Sequence, residues 1–376
     1  MKNDPNFDFY SFHFEVEDKA TGPRLNHADA LPPLSSVPVQ EPPKQIDKAK
    51  RRTARRAFSR VGWAFLLLLL IGNVAAAAVA LTVQTFAPEW VEQDFYALAA
   101  GTLPVYLFGT LFFALPLLRA PARTPEKKRI RLGGFVAFFT VAVTFMMVGN
   151  LLGNGVMTGL SDLFLVDFSN AVEQAISIRP WISALFLVVL APFFEELIFR
   201  KLLIDRLLPH GEWGAVLVSA LLFGLFHGNF YQFFYAALLG SLLALLYLRT
   251  GRWSLCVLLH ALFNLICGLI PMILQQYLDM QLLQSVTDPA VLMDYLNENV
   301  VPFCLLLAQQ LALWGLALAG VIVFFVCRRK YFKPQPLLGE LTERKGSVVF
   351  GNVGMVLALV FSAAYFALNL FASVVA

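Results

Sequence analysis

Apolar residues fall in long unbroken runs along this chain, without the two-residue alternation of a half-buried strand. There are nine such runs, at about 61–84, 96–118, 133–157, 181–200, 213–229, 231–248, 253–275, 300–326 and 347–373. Each approaches the roughly 20 residues that an α-helix needs to cross a bilayer. The run at 213–229 is the shortest, and Gly228-Asn229 must turn the chain at or just inside the membrane edge. The pattern predicts an all-α polytopic transmembrane helical bundle of about nine spans, with the transmembrane domain over 58–376. Residues 1–57 read differently. Pro32-Pro33, Pro38 and Pro42-Pro43, interleaved with charges, leave too little apolar surface to bury, so a disordered Pro-rich cytoplasmic tail is expected there.

Composition agrees with the pattern. The chain is 58% hydrophobic and 14% charged, with a mean hydropathy of +0.68, against about 45–50% apolar and about 25% charged in soluble domains. The net charge of +4 arises from a few basic clusters, which set topology and do not point to nucleic acid. Alternate loops, together with the N-terminal tail, hold 28 of the 29 Lys and Arg residues, and only Arg179 falls on the other side. The opposite loops carry acids instead, among them Glu89, Glu92, Asp279, Asp288 and Glu298. The positive-inside rule then places the N-terminus in the cytoplasm of a multi-pass plasma-membrane protein. Nine spans place the C-terminus outside. The four cysteines lie in or at the ends of apolar runs, the setting of buried apolar thiols.

Against this background the run Ala191-Pro192-Phe193-Phe194-Glu195-Glu196-Leu197-Ile198-Phe199-Arg200 stands out. An ionised Glu in hydrocarbon is unfavourable by roughly 2.5 kcal/mol or more on insertion scales, and here two are adjacent. Arg200 lies four residues after Glu196, the spacing at which a carboxylate and a guanidinium meet along one helical stripe. Glu196–Arg200 therefore reads as a structural ion pair. Neighbouring helical positions point about 100° apart, so Glu195 is expected to face elsewhere, sharing no partner with Glu196. Without a local cation, it is free to take a proton from water.

Three more polar groups interrupt later runs. His227 follows Phe223-Gly224-Leu225-Phe226, and His260 and Asn264 lie one helical turn apart on a single face. Taken singly, a membrane His or Asn is usually a packing residue, and Asn73, Asn150, Gln309 and Asn369 are read that way. A carboxylate pair, two His and an Asn on three segments are unlike chance core polarity. Counting from the nearest basic residues puts Glu195 about five residues deep, His260 about eight and His227 about fourteen, so the fifth helix must start late or tilt.

These stretches resemble the CAAX-processing and bacteriocin-processing family of intramembrane proteases (CPBP, or Abi), related to the type II CAAX prenyl endopeptidases. The shared signature is Glu-Glu-x-x-x-Arg, then Phe-x-x-x-His, then His-x-x-x-Asn, here Glu195 to Arg200, Phe223 to His227 and His260 to Asn264. It covers about residues 180–270. The resemblance implies that Glu195 with His227 activates a water to attack a peptide carbonyl. It implies that His260 and Asn264 hold the oxyanion, with Glu196, Arg200 and Phe223 in support. It also implies membrane-associated, leader or prenyl-type peptide substrates. A metal-free site is the expectation, since no His-Glu-x-x-His pair is present. Were zinc to bind, Glu195, His227 and His260 would be its ligands. A non-catalytic immunity or scaffold protein of the same fold would be expected to have lost one of these residues. A transporter is disfavoured because no internal repeat or matched pair of broken helices is evident.

Overall fold

A computed structural model of the chain describes residues 44–93, 95–166, 168, 179–334 and 345–375. Among these residues there is helix and no strand. The principal helices are α1 (Lys44–Phe86), α2 (Leu98–Leu117), α3 (Leu132–Phe164), α4 (Pro180–His210), α5 (Glu212–Phe226), α6 (Phe230–Thr250), α7 (Trp253–Gln275), α8 (Val300–Cys327) and α9 (Val353–Val375). Eight of these nine are long and apolar enough to cross a membrane, so this is a multi-pass membrane protein.

The exception is α5. Its 15 residues reach only about 22 Å at helical rise, short of a full span. The apolar run at 213–229 counted the turn His227-Gly228-Asn229 as helix, because that turn is flanked by Phe on both sides and hydropathy cannot register it. Two further expectations change. The tail does not reach residue 57: α1 is already helical at Lys44, with Ala54 and Phe58 buried. Residues 1–43 lie outside the described residues. Likewise α4 does not end at Arg200 but continues to His210, because Arg200 and Asp205 are buried and partnered within the bundle.

Three of the loops grouped by charge, together with the starts of α1 and α9, meet at one end. Arg123 N donates to Asp205 O at 2.7 Å and Lys128 N to Thr250 O at 2.9 Å. Arg249 Nη2 donates to Lys333 O at 2.6 Å, and Arg55 Nη2 to Gly351 O at 2.7 Å. Asp205 gathers this end: its carboxylate accepts from Lys201, Thr124 and Tyr247 at 2.8, 2.9 and 2.7 Å. A buried carboxylate needs such partners to be tolerated. Among the polar residues read as packing groups, Asn73 donates to Leu69 O, Gln309 to Ile266 O and Asn369 to Gly228 O. All four cysteines are free.

Two helical hairpins bring the functional stretches together. Gly211, with φ +121, turns α4 into α5 through backbone space closed to residues with a Cβ. Glu195 precedes Gly211 by 16 residues and His227 follows it by 16, so antiparallel helices carry both to one level. The rings of Phe199 and Phe223 meet edge to face between them, 5.2 Å apart. The apparent depth mismatch of His227 arose from treating Arg200 as a surface charge. The second turn depends on Gly228, at φ +70, whose carbonyl accepts from Asn369 of α9 at 3.0 Å. A Cβ there would sit 2.5 Å from the Tyr365 ring. Gly228→Ala is therefore expected to destabilise the protein by about 1–2 kcal/mol or more, seen as a thermal midpoint several degrees lower in detergent. An unchanged midpoint would contradict the left-handed turn.

Candidate active site

Local backbone shape follows from proline. Pro192 in α4 and Pro271 in α7 lack the N–H that would bond back four residues, and their rings crowd the carbonyls of Val188 and Cys267. Both carbonyls lie in widened π turns, Leu185–Leu190 and Asn264–Leu269. A second π segment, Leu197–Ile204, follows the Glu pair. Glu195 and Glu196 thus occupy a short α-helical stretch, Ala191–Glu196, between two widened ones. Such interruptions are common where side chains must be re-aimed.

Both carboxylates point inward, Glu195 at 5% exposure and Glu196 at 0%. The expected ion pair forms, with Arg200 Nε 2.8 Å from Glu196 Oε2 and both side chains fully buried. That contact is close but off the line of a hydrogen bond, so it is held by charge. The guanidinium finds its other partners on α5. Nη1 donates to Ser219 Oγ at 3.1 Å, and its central carbon lies 4.9 Å from the centre of the Phe223 ring.

The expectation that the two Glu share no partner is overturned. His260 stands between them, with Nδ1 3.0 Å from Glu196 Oε1 and Nε2 3.9 Å from Glu195 Oε2. The 100° divergence of neighbouring helical positions holds. An imidazole arriving from another helix nevertheless spans it, because its two nitrogens lie on different edges of one ring. Paired with Arg200, Glu196 is an acceptor, so His260 Nδ1 donates to it.

Glu195 carries a second contact that its own helix could not reveal. Tyr106 OH of α2 donates to Glu195 Oε1 at 2.7 Å. Its ring stacks on Phe194 at 5.1 Å and 4° and lies 6.3 Å from Phe226. The sequence does not single Tyr106 out, because the same run carries the hydroxyls of Tyr96, Thr102 and Thr110. Glu195 Oε2 is buried and has no hydrogen-bond partner among the described residues.

His227 caps the C-terminus of α5, half-buried, with its Nδ1 2.9 Å from Phe223 O. A carbonyl can only accept, so Nδ1 bears the proton and Nε2 of the neutral ring keeps its lone pair. The ring packs 5.4 Å from Phe223, which in turn lies 5.7 Å from His260. Phe223 is thus the apolar spacer between the two histidines. Asn264 donates from Nδ2 to Leu187 O of α4 at 2.8 Å, so it and His260 both face α4, and one amide hydrogen remains.

Among the described residues no three His, Cys, Asp or Glu side chains come close enough together to hold a metal ion. The arrangement can instead accept a proton, at Glu195 Oε2 or His227 Nε2, beside donors that can meet developing negative charge.

The two Glu should differ in what they hold. Glu196→Gln leaves Arg200 buried without its counter-charge, a loss of about 3–5 kcal/mol for a broken buried pair. Glu195→Gln retains an oxygen for Tyr106 and should lose far less. Thermal unfolding of the purified variants in detergent would show the larger drop for Glu196→Gln, and the reverse order would overturn this division of labour.

No curated protein and no solved structure matches the chain. A family match covers residues 177–266, about a quarter of the sequence, and Tyr106 lies outside it. That stretch, which carries Glu195, His227, His260 and Asn264, is similar to the family described as type II CAAX prenyl endopeptidase Rce1-like.

Proposed function

We propose that this chain is an intramembrane endopeptidase that hydrolyses a peptide bond with water activated jointly by Glu195 and His227. The observation that carries the reading is Glu195 Oε2, a buried carboxylate oxygen with no hydrogen-bond partner among the described residues. Its sister oxygen is held by Tyr106, and His260 stands 3.9 Å away. The attacking water is proposed to sit at this gap. The water oxygen bonds to the peptide carbonyl carbon while its proton passes to the Glu195–His227 pair. That proton then moves to the leaving nitrogen as the C–N bond breaks, giving a carboxylate and an amine with only water consumed.

His260 and Asn264 are proposed to stabilise the oxyanion. As imidazolium, His260 can donate from Nε2, and Asn264 has its second amide hydrogen. Donors held ready in a water-poor site stabilise charge far better than they would in bulk water. No step is routed through a metal, and catalysis is proposed to be metal-free. By the positive-inside rule, the basic end of the bundle faces the cytoplasm of a plasma membrane. The family description supports prenylated CAAX peptides as first probes, and leader peptides or membrane-anchored proteins are further candidates.

An internally quenched farnesylated CAAX peptide, compared with its unprenylated twin, tests the reading in detergent micelles. The wild-type chain should cleave at least one, and Glu195→Gln and His227→Ala should each lose about 10²- to 10⁴-fold in kcat. Full activity in either variant would sink the base assignment. Strong chelators should leave the rate unchanged. Inhibition that added zinc reverses would overturn the metal-free mechanism.

A further inference from the structure

We infer that Tyr106 is a positioning residue for the proposed reaction, orienting Glu195 so that one oxygen is held and the other is presented to water. The inference rests on the proposed function, but its evidence is separate, because Tyr106 sits on α2, some 70 residues upstream of the family match. Three contacts carry it. The hydroxyl donates to Glu195 Oε1 at 2.7 Å. The ring stacks on Phe194, the residue before Glu195. The same ring lies against Phe226, the residue before His227. A single side chain from a third helix therefore touches the immediate neighbours of both proposed bases.

The placement of Tyr106 is itself rigid. It lies in the π segment Val105–Gly109, directly after Pro104. Both Val105 and Gly109 press against α1: a Cβ on Gly72 would meet Val105 Cα at 3.1 Å, and one on Gly109 would meet Leu68 at 2.8 Å. The tyrosine is 5% exposed, and its hydroxyl meets a carboxylate that can only accept when ionised. A donor on Oε1 removes that oxygen from competition for the water, and it stops the carboxylate from rotating toward His260 with both oxygens. Tyr106 from α2 and His260 from α7 both approach the Glu195 carboxylate. Of these, Tyr106 alone makes a direct hydrogen bond to it.

Tyr106→Phe keeps the ring and its stacking and removes only the hydroxyl. With the quenched peptide, kcat should fall about 10- to 100-fold, the scale of a lost hydrogen bond to a charged group, while KM stays within about twofold. In a Glu195→Gln background the same substitution should have no further effect, since residues that act as a unit are not additive. A residue that served only packing would lower the yield of folded protein and leave kcat per active molecule intact. A readout independent of cleavage is the carboxylate infrared band of ¹³C-glutamate-labelled protein that disappears in Glu195→Gln, which should shift in Tyr106→Phe. If Tyr106→Phe does not extract intact, difluorotyrosine at 106 should change both kcat and that band.

Wild-type kcat in Tyr106→Phe, an additive loss in the double variant, or an unmoved infrared band would overturn the assignment. Should Glu195→Gln keep full activity, the proposed function fails instead, and the infrared band alone then decides whether Tyr106 holds Glu195.

Discussion

Two carboxylates and a guanidinium are buried side by side in this bundle, and much of its centre is arranged to make that tolerable. Removing an ion from water is unfavourable by several kcal/mol even after relaxation, and pairing repays it only when the remaining lone pairs and protons find partners. Glu196 and Arg200 answer each other at 2.8 Å. Arg200 then takes Ser219 and the face of Phe223, while Glu196 takes His260. Each of these partners comes from a helix other than α4. The charge pair therefore links α4 to α5 and α7.

Glu195 lies at the edge of this cluster and is less completely partnered. One of its oxygens is taken by Tyr106 and the other is not taken by any described residue. Glu196 Oε2 also lacks an aligned hydrogen bond but sits 2.8 Å from Arg200, whereas Glu195 Oε2 has only the His260 ring at 3.9 Å among the contacts of the described residues. Pro192 and Pro271 contribute by widening the helices near the polar groups, where a regular α-helix would have kept its ladder. Mechanical order also reaches the site from the far end of the chain, because Asn369 of α9 grips the Gly228 carbonyl beside His227.

The aromatic residues between the polar groups form a connected frame. Phe199, Phe223 and Phe226 pack edge to face around the turn that carries His227, and Tyr106 closes the frame against Phe194. Rings that interlock in this way exclude water and hold distances between helices with few rotatable bonds. The proposed proton transfer would need both properties, because stray water would compete for the base and loose geometry would misplace it.

Linear pattern alone determined the fold class, eight of the nine apolar helices, the grouping of basic loops at one end and the Glu196–Arg200 pair. Each of these rests on local spacing or summed hydropathy, which a chain carries within a single segment. His227, His260 and Asn264 were recognisable for the same reason, as polar groups in apolar runs. Only tertiary structure decided that α5 is short, that α4 runs on past its charges to put Glu195 level with His227, and that His260 serves both carboxylates. Tyr106 likewise became visible only once α2 lay against α4, 89 residues away in the chain. Whether a charge marks a surface or a buried partner depends on what other helices bring to it, and hydropathy along one strand of sequence holds no record of that.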